Sequence, residues 1–322
     1  MKFASSTKKL FAGMVVMAAT HSVNAAGYPV KPIEMVVPYS AGGTTDQLAR
    51  KIQQPMSEVL GQPIVIVNKP GAGGAIGADY VARSKPDGYT LVFGNTGPNA
   101  IISLIRDVPY DTVKDFQPIS TVVITPMILA ASANSPIKNF KEFVTYVKNP
   151  ENKVNYGSTG IAGLSHMVSE YFKDFAGIDM LHVPYAGAAP MLPAFKGGQL
   201  DVAFLTGLDG KNMLAAEAVK YLAIATKERS EVFPDLPTIS EELPGFEAES
   251  WFGVLAPKGI PEDVLKKLNE AVASAVNTPS VNKFFVDSGV IPESSTPEEH
   301  EQRIKKEIEQ WTPVVKKLNI KQ

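Results

Sequence analysis

The stretch VVPYSAGGTTDQLAR, residues 36–50, decides how this chain is read. An apolar run stops at Pro38. Tyr39, Ser40, Ala41, two glycines, two threonines and Asp46 follow, and then a helical pattern begins. A strand that feeds a glycine loop and a helix start builds an anion cradle, because the first N–H groups of a helix lack intrahelical partners and carry partial positive charge. Yet this stretch holds no lysine to grip a phosphate and no histidine or cysteine to react. The pattern points to holding rather than to chemistry.

Working outward, the same alternation recurs. IEMVVPY, PIVIVNK and YTLVFGNT read as strands, separated by the helices TDQLARKIQQPMSEVLG and AIGADYVARSK. In the first helix Leu48, Ile52, Met56, Val59 and Leu60 fall at helical spacing, and Pro55 should kink it. A second run follows, with VNYGS, DMLHVPY, LDVAFLTG and KYLAIAT as strands and LSHMVSEYFKDFAG, APMLPAFKGG and KNMLAAEAV as helices. Strands alternating with helices predict mostly parallel sheets joined by right-handed crossovers. Two such runs predict an α/β chain of two lobes.

The proline-rich segment 109–140 reads as an irregular crossing between the lobes, and FPDLPTISEELPGFEAE as the approach to the return through the strand SWFGVLAP. The tail reads as two amphipathic helices, one with a core stripe of Val264, Leu265, Leu268, Ala271, Val272 and Val276. The expected division is 1–25 as an export signal, 26–124 plus 249–322 as lobe 1, and 125–248 as lobe 2. The signal reading rests on Lys2, Lys8 and Lys9, the run LFAGMVVMAA and the small residues before a cleavage point after Ala25. That run is about half the ~20 residues of a membrane span.

Removing three lysines from the 31 basic residues leaves 28 against 33 acidic ones, net −5. Such a balance offers no bulk attraction to nucleic acid. With no cysteine, the chain lacks thiol nucleophiles, thiolate metal sites and a lipid-modified cysteine. GAGGAIG, 71–77, fails as a dinucleotide fingerprint: Ile76 stands at the third glycine position, and the next strand ends in Asn95-Thr96 with no acid for a ribose. It reads as a tight turn.

The loops after the strands share one chemistry. They are Tyr39 to Asp46, Asn95-Thr96-Gly97, Ser158-Thr159-Gly160 through Gly163 to Ser165, Tyr185 with the small residues behind it, and Thr206 to Asp209. Ser and Thr both donate and accept hydrogen bonds, and glycine lets backbone approach a ligand. Singly, Thr44, Thr45, Asp46 and Ser165 also suit helix N-caps. Asp46 would repel an anion, so it is expected to accept backbone N–H bonds and orient its loop. Tyr39, Tyr185 and Phe204 suit an aromatic ligand or a plain apolar wall. Ser165 and His166 are adjacent on a helix and point about 100° apart, so they make no nucleophile–base pair with each other. His182 reads as a strand residue, and nothing in the spacing of the histidines makes a metal site.

These motifs, in order along nearly the whole chain after residue 25, resemble the substrate-binding proteins of tripartite tricarboxylate transporters, the Bug-type periplasmic receptors. The match runs from YPVKPIEMVVPYSAGGTTDQLAR and GQPIVIVNKPGAGGAIGADYVARSKPDGYTLVFG through VNYGSTGIAGLSHMVSE and VPYAGAAPMLPAFKGGQLDVAF. It ends in WFGVLAPKGIPEDVLKKLN, with Glu307 and Trp311 in the last helix. The resemblance implies a type II periplasmic-binding fold that closes on a small carboxylate: a dicarboxylate, tricarboxylate, aromatic acid or amino acid. It implies integral membrane transporter subunits as partners, a monomer, no cofactor, no metal and no catalytic residue. It places the ligand against Tyr39 to Thr44, Ser158 to Ser165 and Tyr185, with Asp201 further off, and needs no arginine clamp. Tyr39-Ser40 stands where the family often has Phe-Pro or Phe-Ala. The alternatives are a secreted hydrolase or isomerase using His166 and a loop serine, and a ligand-sensing subunit of a signalling system.

Overall fold

The computed structural model describes residues 27–318 apart from 162 and 231, so the export signal expected at 1–25 lies outside the described residues. The first run is β1 (Ile33–Val37), α1 (Thr44–Leu60), β2 (Ile64–Asn68), α2 (Ala75–Ala82) and β3 (Thr90–Asn95). β1 lies between β2 and β3, parallel to both. Four of its five residues are buried, as befits a central strand covered on both faces. α1 buries Leu48, Ile52 and Met56, leaves Val59 half exposed, and continues through Pro55 to Leu60.

After a π-helical turn at Gly97–Ile101 and the short α3 (Ile102–Ile105) comes β4 (Phe116–Ser132), a strand of 17 residues. Here the expectation of an irregular crossing is corrected. Residues 116–132 of that segment form a paired strand, and only the flanks 109–115 and 133–139 are irregular. From Phe116 to Pro126 it runs antiparallel to β9 (Glu249–Pro257), and from Met127 onward it pairs antiparallel with β7 (Val202–Thr206) and, from Ile128 onward, with β8 (Val219–Ile224). β4 is therefore one strand in two sheets, and the exchange of partners falls at Pro126. Proline donates no ladder bond and sits where pairing is interrupted.

The second lobe adds α4 (Phe140–Lys148), β5 (Asn155–Ser158), α5 (Leu164–Ala176), β6 (Leu181–Pro184), α6 (Met191–Lys196) and α7 (Gly207–Ala215). β5 is parallel to β6 and β7. The chain closes with α8 (Glu262–Asn277), α9 (Pro279–Asp287), β10 (Ile291–Pro292) and α10 (Pro297–Leu318). The parallel pairings expected from strand–helix alternation occur at β1–β3 and β5–β7. The sheets are mixed rather than mostly parallel, because β4 runs out, β9 returns beside it, and β8 and β10 add antiparallel edges.

One apolar core fills lobe 1 between its sheet and α1 and α8, joined by Ile33, Met35, Leu268 and Val272. A second runs continuously from Val36 and Val92 through Trp251 and Trp311 to Phe172, Phe204 and Phe246 of lobe 2. α10 lies in that bridge, with Trp311 edge-on to Tyr171 at 5.9 Å and Lys317 paired with Asp174 at 2.6 Å. The GAGGAIG segment forms the tight turn expected and then α2, which packs flush on β1. A Cβ added at Gly77 would lie 2.9 Å from Pro38 and from the Lys69 carbonyl. We expect Gly77→Val to lower stability by about 1–3 kcal/mol through overpacking, read as a lower urea midpoint with unchanged slope. An unchanged midpoint would mean that α2 is not pinned there.

Candidate ligand cleft between the lobes

Two helix starts face the space between the lobes; each N-cap residue is a glycine with no side chain to cap it, and the first N–H of α1, from Thr44, is taken by Asp209 Oδ1 from the other lobe at 2.9 Å. α1 begins after Gly43 and α5 after Gly163, both in extended conformation. The hydroxyls that suit caps in the sequence are committed elsewhere. Thr44 Oγ1 meets Thr206 Oγ1 across the cleft at 2.6 Å. Ser165 Oγ accepts the Thr159 N–H at 2.9 Å and pairs with Thr159 Oγ1 at 3.0 Å. α7, by contrast, is capped by Thr206, whose Oγ1 accepts the Asp209 N–H. The two helix starts bring partial positive charge and their remaining N–H donors to the cleft, the Thr44 N–H of α1 being given to Asp209, and no cationic side chain stands among the lining residues.

Between them is a cavity of about 40 Å³, lined by Tyr39, Ser40, Gly43, Thr44, Thr45, Asn95, Thr159, Ser165, Thr206, Asp209 and Ser250. Its apolar wall is Met127, Leu164, Phe204, Leu205 and Phe252, with Gly187 and Ala188 at one side. None of these residues is Lys, Arg or His. At roughly 10–15 Å³ per water, the space takes about three waters. The lobes touch around it. Ser40 Oγ donates to the Ala186 carbonyl at 2.7 Å, and the Thr44 N–H donates to Asp209 Oδ1 at 2.9 Å.

The loop before α1 is held from behind. Asp46 accepts the Gly42 N–H at 3.0 Å, Arg50 Nε at 2.9 Å and Asn68 Nδ2 at 2.9 Å. Burial works to raise its carboxyl, but the bonds from Arg50, Gly42 and Asn68 outweigh it and hold Asp46 below the usual range. Asp46 orients the loop and does not line the cavity. Tyr39 is buried, its hydroxyl within 3.3 Å of Asn95 Oδ1 and the Gly73 carbonyl, and burial raises its phenol.

Of the sequence-selected residues, Tyr39, Ser40, Gly43, Thr44, Asn95, Thr159, Ser165, Thr206 and Asp209 meet at this cavity. Gly160 and Tyr185 line a neighbouring cavity of about 270 Å³ with Gly73, Ile161 and Arg106. Ala41 and Gly42 form the turn outside, and Gly163 is the N-cap of α5. Asp201 is occupied far from the cleft, accepting the Asn155 N–H at 2.7 Å. Thr96 lies fully buried behind the cavity, where its Oγ1 accepts the Trp251 N–H at 3.3 Å beside Glu307. Of the residues that sequence reasoning missed, Met127, Ser250 and Phe252 come from the two strands that cross between lobes, and Leu205 from β7. Ser250 and Phe252 stand two apart on β9, a strand periodicity visible in the sequence, but only the pairing shows which face looks into the cleft.

The histidines form a different cluster. His166 stacks on His182 at 4.1 Å, and His182 stacks on Tyr156 at 4.9 Å. His182 Nε2 lies 2.6 Å from Ser158 Oγ, so the serine partner is His182 rather than His166. Burial lowers His166, and burial together with the His166 charge lowers His182 to about 3, leaving both rings neutral at pH 7. Ser158 is fully buried, and neither it nor the histidines line the cavity. Tyr156 completes the packing through a bond to Glu170, which Lys173 pairs at 3.0 Å. This geometry presents no nucleophile–base pair to a ligand in the cleft. Among the described residues no three His, Asp or Glu side chains could share a metal ion, and no helix is long and apolar enough to cross a membrane.

The chain matches the profile of the tripartite tricarboxylate transporter family receptor over residues 48–320. It is 32% identical to the protein BugT of Bordetella pertussis over 308 residues, which cover 93% of each chain. It is similar to the structure of R. palustris Rpa4515 with adipate, at 33% identity and a TM-score of 0.87, covering 91% of this chain and 98% of that one. It is likewise similar to MatC from Rhodopseudomonas palustris with bound malate, at 35% identity and a TM-score of 0.85, covering 89% and 100%.

Glu307 generates a pH prediction. It accepts Trp251 Nε1 at 2.9 Å, and burial, against the bonds from Thr96 and Trp251, pushes its carboxyl up from 4.5 to about 8. A carboxyl raised by folding binds its proton more tightly in the native state. Its contribution to stability is therefore full below about pH 4.5 and is lost as pH rises to about 8. Glu307→Gln keeps an acceptor for Trp251 and removes the titration. Melting temperatures at pH 5, 6, 7 and 8 should show the variant gaining on the native protein as pH rises. Parallel curves would refute the shift.

Proposed function

Since the chain belongs to the tripartite tricarboxylate transporter receptor family, we propose that it is a periplasmic solute receptor that captures a small carboxylate between its lobes and delivers it to the integral membrane subunits of such a transporter. The observation that carries this reading is the pair of helix starts behind glycine N-caps, α1 and α5, facing one cavity that no cationic side chain lines among the described residues. A carboxylate taken into that space meets N–H donors and helix dipoles in surroundings of low dielectric, where neutral donors act strongly. The relatives that bind adipate and malate support a carboxylate as the ligand class.

In this reading residues 1–25 direct export, lobe 1 comprises 26–124 and 249–322, and lobe 2 comprises 125–248. Tyr39, Ser40, Gly43, Thr44 and Asn95 hold the ligand from one side, and Thr159, Ser165, Thr206 and Asp209 from the other. The Ser40–Ala186 and Thr44–Asp209 bonds belong to the closed state. The protein changes no covalent bond; its work is a reversible closure whose free energy the ligand supplies.

Two measurements test this. In a thermal-shift panel of dicarboxylates, tricarboxylates, aromatic acids and amino acids, one class at a hundredfold excess over its Kd should add about 2.7 kcal/mol, a rise of a few degrees. The amide counterparts should add nothing. If none shifts the protein, and mass spectrometry after unfolding finds no retained acid, the reading fails. At Gly43 a Cβ would lie 3.9 Å from both the Ala188 N and the Ser40 carbonyl, room for a methyl and little more. Gly43→Val should therefore weaken binding at least tenfold with the unliganded melting temperature nearly unchanged. Full affinity in a folded Gly43→Val protein would remove this loop from the site.

A further inference from the structure

Among the described residues the wall of the cavity carries one carboxyl group, like that of the proposed ligand, and burial raises it above the usual carboxylate range against the bonds from Thr44 and Thr206. Asp209 is 5% exposed and lines the space directly. Its Oδ1 accepts the Thr44 N–H at 2.9 Å, and its Oδ2 accepts the Thr206 hydroxyl at 3.0 Å. The surrounding bonds fix the direction of that last proton. Thr206 Oγ1 accepts the Asp209 N–H at 3.3 Å, and Thr44 Oγ1 lies 2.6 Å away; with the Thr206 proton on Asp209 Oδ2, the Thr44 hydroxyl is the donor of that pair. The threonine hydroxyl proton is then free for Asp209, and the aspartate is held as an acceptor on both oxygens. A carboxylate has about four lone-pair positions, so two remain, and no Lys, Arg or His lines the cavity to meet them.

A buried acceptor without its full complement of donors is costly, and a second anion beside it costs more. A ligand presenting bare carboxylate at this wall would face repulsion that the helix starts must overcome. A ligand presenting a hydroxyl or an ammonium group there would supply the missing donor. Building on the carboxylate-receptor reading, we infer that Asp209 selects acids carrying a hydroxyl or ammonium donor beside the carboxyl group and disfavours bare diacids of the same length. The carboxylate of such a ligand lies toward the starts of α1 and α5, and its donor lies toward Asp209. Because the Thr44–Asp209 bond crosses between lobes, this discrimination operates in the closed state.

The test uses purified protein stripped of retained ligand by unfolding and refolding. Calorimetric titrations compare trios that differ in one substituent: succinate, malate and aspartate, and then glutarate, 2-hydroxyglutarate and glutamate. We expect the hydroxy or amino member of at least one trio to bind about tenfold or more tighter than its bare partner, the scale of a hydrogen bond to a charged group. Which member is tighter distinguishes hydroxyl from ammonium. In Asp209→Asn, whose carbonyl still accepts the Thr44 N–H, the ratio should collapse toward one as the bare acid gains and the donor-bearing acid loses. If bare acids bind the native protein as tightly as their partners, or if the ratio survives in Asp209→Asn, the inference is overturned while the receptor reading stands. If no acid in either trio or in the wider panel binds, both fall together. Should the variant not fold, the ratios of the native protein alone decide.

Discussion

Everything in this molecule is positioned by β4. A single strand of 17 residues joins two sheets and changes neighbours at Pro126. Its residue Met127, just past that exchange, lines the cavity. β9 returns beside it and contributes Ser250 and Phe252 to the same cavity. The space between the lobes is thus floored by the very strands that connect them. A hydrogen-bonded ladder resists shear along its length far better than loops would, so the two helix starts are held beside one cavity by continuous secondary structure. α10 reinforces this from outside, with Trp311 and Lys317 reaching residues of α5.

Much of this was legible in the sequence, for identifiable reasons. β1, α1, β2, α2 and β3 follow from clean changes between strand and helical periodicity, and α8 from its six-residue apolar stripe. The loops were legible because glycine and hydroxyl residues recur after strand ends. β4 was not, because it is buried on both faces for most of its length and so shows no alternation, while Pro118 and Pro126 argue locally against a strand. α4 and α9 are short helices of nine residues each, in stretches to which the sequence assigns no element. The mixed sheets followed from the same gap, since antiparallel pairing depends on where β4 and β9 lie. Within the cleft, sequence alone left Thr44, Thr45 and Ser165 open between caps and ligand contacts. That choice turns on which residue starts the helix, and here it is a glycine in each case.

The residues that look most chemical in the sequence serve structure instead. Ser158, His182 and His166 with Tyr156 form a neutral, stacked polar column behind the second-lobe loop. Thr96, Trp251 and Glu307 form another behind the first-lobe loop. Buried polar networks of this kind rigidify their surroundings when their bonds are satisfied. Each sits behind one side of the cleft, so each holds a loop in register without entering the cavity. Asp46 does the same for the turn before α1 through Arg50 and Asn68. The site is built from three such supports and two helix ends, with reactive groups kept out of its walls.

The helix starts behind Gly43 and Gly163 carry a consequence for how such a protein can diversify. A backbone N–H is present whatever side chain stands at its position. Single substitutions in α1 or α5 therefore leave the anion-attracting character largely intact, provided the helices still begin where they do. The apolar wall of Met127, Phe204 and Phe252 has no such protection and can drift residue by residue. In the receptor reading, attraction to negative charge rests on backbone at the helix starts, and preference among its carriers rests on side chains, Asp209 and the apolar wall. On that reading a side chain of the wall can change the preference while the backbone donors that attract the ligand stay in place.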